Sequence, residues 1–249
     1  MRILPFLFAA CLLPSLAVAA DWNAAVLEAI RTMPTGGSYS AGSAASARLR
    51  AAVDVAGDRL QVRPAIARPS YCSGATYLVL LKVIATAQAS GALRLDAATI
   101  AGLPPQLQRD GQGAWGRWNA NGPGTARLFY ELGVGRNFTN WDEARPGDFL
   151  KIFWRDAVGS NEHGHSVIFL GTEAKDGVEF VRFWSSNQPA GFGEKSVAKS
   201  KIARALFSRL ERPERFAGLA ALPPVDAYLA SLLERESSFA EACRLSGAR

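Results

Sequence analysis

The chain has 249 residues, 49% of them apolar and 20% charged, an ordinary globular balance that excludes a disordered or collagen-like polymer. Its formal net charge of +6 comes from scattered Lys and Arg without the aromatic-plus-basic motif of a nucleic-acid module, so no nucleic-acid partner is expected. Cys11, Cys72, Cys243, His163 and His165 lack the spacing of a zinc site and are too few for a disulfide scaffold.

In chain order, Met1 to Ala20 reads as a secretory signal peptide: Arg2, an apolar stretch from Ile3 to Val18 broken by Pro5 and Pro14, then small residues at Ala17-Val18-Ala19-Ala20. Cleavage after Ala19 or Ala20 removes Arg2 and Cys11. A lipid-bearing Cys11 fits less well, because the apolar region continues past it. No later segment approaches ~20 uninterrupted apolar residues, so an exported protein, periplasmic or secreted and without stable membrane insertion, is expected.

Asp21 to Met33 has helical apolar spacing and stops at Pro34 and Gly36-Gly37; residues 43 to 53 suggest a second short helix. Arg59 to Arg68, with Pro64 inside it, suits an extended arm or edge strand. Ala75 to Ala89 is apolar apart from Lys82, the pattern of a helix buried on most sides. Residues 101 to 124, rich in Gly, Pro, Asn and Trp, read as a long loop with at most short helical turns, and long loops are often functional. Thr125 to Leu132 reads as a helix. Asp148 to Trp154, His165 to Gly171 and Val178 to Ser185 then read as strands, with Ala203 to Leu210 a fourth. Residues 225 to 243 suggest a closing amphipathic helix. The order, helices first and an antiparallel sheet after them, predicts a single α+β domain over residues 21 to 249.

Cys72 and Cys243 remain after export into an oxidising compartment. They either pair or leave one thiol for chemistry. Cys72 falls at the first turn of the apolar helix, where free backbone N–H groups and the helix dipole favour a thiolate. His165 opens an apolar strand, a place from which a side chain reaches a cleft, and Cys followed by a strand-borne His supplies a thiolate–imidazole pair. His163 shares its strand parity and is the alternative base.

Cys72-Ser73-Gly74 opening a buried helix, Arg145-Pro146-Gly147-Asp148-Phe149-Leu150, and Gly164-His165-Ser166-Val167-Ile168-Phe169-Leu170-Gly171 together resemble the NlpC family of papain-like cell-wall cysteine peptidases, over roughly residues 35 to 212. The resemblance implies a papain-like fold, Cys72 as nucleophile, His165 as base, and a polar residue on the following strand that orients the imidazole. That residue is Asn187 or Ser185, with Asn187 preferred because its amide accepts an imidazole N–H. Tyr39 resembles the family's upstream cleft tyrosine, and Ser73, Tyr39 and Ser185 are the candidate substrate-binding or oxyanion residues. Residues 92 to 140 look like an insertion that shapes the cleft. The implied activity is cleavage of amide bonds in peptidoglycan stem peptides, often those involving D-glutamate and diaminopimelate, with no metal or organic cofactor. Alternatives are an idle module that binds cell-wall peptides, an amidase or acyltransferase acting on another substrate through the same dyad, and a structural Cys72–Cys243 disulfide.

Overall fold

A computed structural model describes residues 21–162 and 164–249. The signal-peptide reading and His163 therefore lie outside the described residues. The chain begins with α1 (Trp22–Arg31), which Asp21 caps by accepting the backbone N–H of Ala24, and continues through β1 (Gly36–Gly37), α2 (Ser43–Ala51) and the hairpin β2 (Val53–Ala56) and β3 (Arg59–Val62). Then come α3 (Cys72–Ala89), α4 (Ala97–Ala101), α5 (Gly113–Asn119) and α6 (Gly124–Leu132). After them run β4 (Gly135–Phe138), β5 (Phe149–Phe153), β6 (Val158–Gly159), β7 (Gly164–Lys175), β8 (Val178–Asn187), β9 (Gly191–Ala198) and β10 (Arg204–Leu210). The chain closes with α7 (Ala227–Ser231), β11 (Glu236–Ser237) and α8 (Phe239–Leu245).

This is an α+β architecture. Seven strands form one sheet in the order β1-β9-β8-β7-β5-β10-β4, every neighbouring pair antiparallel. Helix α3 is long and apolar enough in composition to cross a membrane. Burial inside the fold accounts for that composition: Tyr77, Leu78, Leu80, Leu81 and Ile84 are wholly inaccessible and share a core with Phe149, Ile168, Trp184 and Phe192 of the sheet.

The Pro146-Gly147-Asp148 turn ties the helical half to the sheet. Asp148, fully buried at the start of β5, accepts two hydrogen bonds from Arg209 at 2.8 and 2.7 Å, one from the Asn23 amide at 2.9 Å and one from the Arg145 backbone at 2.7 Å. Gly147 has φ +96°, and a Cβ there would lie 2.6 Å from the Asn23 carbonyl oxygen, so only glycine lets the turn meet α1.

The structure corrects the expectation for residues 225 to 243. They form two short helices separated by β11, because Asp226 and Ser238 each cap a separate start, accepting the backbone N–H of Leu229 and Glu241, and the intervening Ser237 pairs with Val158 of β6. Residues 101 to 124 contain a true helix, α5. Strands β4 and β9 are additional to those expected. Strand β9 carries Gly191, Gly193, Glu194 and Lys195, and so shows no apolar run.

Candidate active site

Cys72 is the first residue of α3. Its N-cap, Tyr71, makes no side-chain capping bond, so no side chain competes for the N–H groups of the first turn. Thr76 Oγ1 donates to the Cys72 carbonyl at 3.2 Å, and the indole N–H of Trp118 on α5 donates to the Ser73 carbonyl at 3.1 Å. The helix start is thus held by its own second turn and by the long segment before α6.

His165, the second residue of β7, borders the same cleft as Cys72. Its Nε2 lies 3.1 Å from Asn187 Oδ1 at the end of β8. The Asn187 amide is oriented by its surroundings, with Nδ2 donating to the Gly193 carbonyl at 2.8 Å. This leaves Oδ1 to accept, assigns the ring proton to Nε2, and leaves Nδ1 as the unprotonated ring nitrogen. Trp154 stacks over the imidazole (centroids 6.4 Å, 26°) and Phe183 meets it edge-on (5.6 Å, 76°), restricting the ring's rotation.

Burial pushes the Cys72 thiol up, but the His165 hydrogen bond and charge, the Ser166 backbone hydrogen bond and the Lys151 ammonium outweigh it. The net effect lowers the thiol from 9.0 to about 7. Tyr39 moves the other way. Burial, then the charge and hydrogen bond of Cys72, raise its phenol to about 12, so it stays a protonated donor beside the sulfur. A parallel bridge between Tyr39 and Ser70 brings this distant residue to the site, with the Ser40 N–H bonded to the Ser70 carbonyl at 2.9 Å. Ser70 is also joined to β8, its hydroxyl donating to Ser186 Oγ at 2.8 Å.

These groups line one cleft of about 620 Å³. Cys72, His165, Asn187, Tyr39 and Ser73 all border it, and Ser73 donates to Asn119, which also lines it, at 2.6 Å. Ser185 does not take part. It is fully buried, and its hydroxyl donates to the Ser166 carbonyl at 2.7 Å instead of to the imidazole. The Cys72–Cys243 pairing is not realised either: both thiols are free, Cys243 sits on α8, and burial pushes its pKa up. Among the described residues, no group of three or more His, Cys, Asp or Glu is placed to hold a metal.

Sequence reading missed Lys151, Glu162 and Trp154. Lys151 is the lone charge in the apolar strand Phe149–Phe153, a signal available in the sequence. It pairs at 2.5 Å with Glu162, which also accepts the N–H groups of Gly122 at 2.5 Å and Gly159 at 3.2 Å. The pair fastens β5, the loop after α5 and the turn before His165 together at the cleft wall. A Cβ on Gly164 would meet Glu162 Oε1 at 2.5 Å and Lys151 Nζ at 2.8 Å, so a side chain there would displace the ends of this pair. Comparison of the chain with protein-family models, curated proteins and solved structures finds no match.

Proposed function

We propose that the chain is an exported cysteine hydrolase with a papain-like fold that resembles the NlpC family and cleaves amide bonds in peptidoglycan stem peptides. The carrying observation is the linked set Cys72, His165 and Asn187, with sulfur at a helix N-terminus and the imidazole held at 3.1 Å by a fixed amide oxygen. That arrangement supplies both halves of acyl transfer. His165 Nδ1 takes the thiol proton, the thiolate attacks the amide carbon, and the tetrahedral oxyanion is met by the Cys72 backbone N–H and the Tyr39 hydroxyl. The C–N bond then breaks as His165 returns the proton to the leaving amine. Water, deprotonated by His165, hydrolyses the thioester and restores the thiol. Neither a metal nor an organic cofactor enters this sequence of steps.

The test is to incubate the protein lacking residues 1–20, and its Cys72→Ala variant, with intact peptidoglycan and to analyse the released fragments by mass spectrometry. Soluble peptides bearing new amine and carboxyl ends are expected from the first protein alone. Release by both proteins, or by neither, rejects the reading.

A further inference from the structure

The catalytic cleft does not end at Cys72. A second groove of about 310 Å³ shares Ser46, Tyr71 and Asn119 with it and runs on to Arg50 of α2 and Arg109. Its outer wall is residues 105–109, part of the long segment before α5, where Leu107 stands 86% exposed at the rim. The groove thus adjoins the cleft across Ser46, Tyr71 and Asn119.

Its charge comes from Arg50 and Arg109, and among the described residues no carboxylate lies within ion-pair distance of either. Two guanidinium groups without a carboxylate partner call for an anion. In a cleft that acts on peptides, a free carboxylate of the substrate is the anion within reach.

We propose that this groove is a subsite for a free carboxylate of an extended peptide substrate, bound by Arg50 and Arg109. The inference rests on the hydrolase reading above and adds to it the requirement that the substrate be acidic at a distance from the cleaved bond. Charge-assisted guanidinium–carboxylate bonds made equally in ground and transition states lower KM and leave kcat alone.

The experiment uses a synthetic stem tetrapeptide with all carboxylates free and its fully amidated counterpart, hydrolysed by the wild-type protein and by the Arg50→Gln/Arg109→Gln double variant. The double variant is expected to raise KM for the acidic peptide by about tenfold or more, the loss of one or more charge-assisted bonds, with kcat within about twofold. KM for the amidated peptide should stay put, and equal shifts for the two peptides overturn the subsite. If the wild-type protein hydrolyses neither peptide, the hydrolase reading fails on its own. The subsite is then decided by calorimetry on Cys72→Ala protein with and without the arginine substitutions. Binding of the acidic peptide weakened about tenfold by the substitutions supports it; absent or unaltered binding overturns it.

Discussion

At the scale of single residues, the site depends on which atom faces which. Asn187 uses Nδ2 on the Gly193 carbonyl and Oδ1 on His165, so its loss frees the imidazole to turn away from sulfur. Asn187→Ala is expected to lower kcat at least about tenfold with little change in the thermal midpoint, because the residue acts by orienting the base. Unchanged turnover would remove it from the mechanism. Tyr39 is argued to donate to the oxyanion, a bond made only as charge develops. Tyr39→Phe should therefore cost about 10²-fold in kcat with KM nearly constant, and a change confined to KM would instead mark it as a ground-state contact.

At the scale of elements, the helical half and the sheet are joined at two places that can be tested by stability. Trp118 on α5 packs edge-on to Phe149 of β5 (5.3 Å, 89°), touches Tyr77 of α3 (5.2 Å) and hydrogen-bonds the first turn of α3. Trp118→Ala should cost roughly 3–5 kcal/mol and lower Tm by about 10 °C. A loss below about 1 kcal/mol would show that α5 is not what secures the Cys72 turn. Asp148→Ala leaves the Arg209 guanidinium, 9% exposed, without its carboxylate. Breaking a buried pair in this way costs about 3–5 kcal/mol, measurable by denaturant midpoint, while a near-neutral result would mean that water reaches Arg209.

At the scale of the whole molecule, the α+β order was legible because its parts have strong local periods: the all-round apolar α3, and β5, β7 and β8 with their β-branched and aromatic runs. Cys72 and His165 were legible because each opens a regular element, whereas Asn187, two residues past the expected strand end at Ser185, was suggested by the family resemblance alone. Strand β9 and the break between α7 and α8 were not legible, since a Gly-rich, half-polar strand has no apolar run and two N-caps interrupt an otherwise helical pattern. Ser185 and Asn187 share a face of β8, and only their hydrogen-bond partners, the Ser166 carbonyl for one and the imidazole for the other, tell them apart. Lys151 and Glu162 escaped notice because their pairing joins two segments through a third. What unites these pieces is a thiol whose acidity is set by groups from α3, β5 and β7.

That thiol gives the most direct measurement: the rate of Cys72 alkylation by iodoacetamide as a function of pH, followed by peptide mass spectrometry so that Cys243 serves as an internal comparison. A lowered pKa means that thiolate is present above about 7 and is lost as pH falls through that value. The Cys72 rate should rise with a midpoint of about 7, while Cys243, pushed up by burial, rises only in more alkaline solution. His165→Ala removes the hydrogen bond and charge but leaves the burial, and should move the Cys72 midpoint upward. Cys72 and Cys243 titrating together near the ordinary thiol value of 9.0, with no response to His165→Ala, would contradict the account.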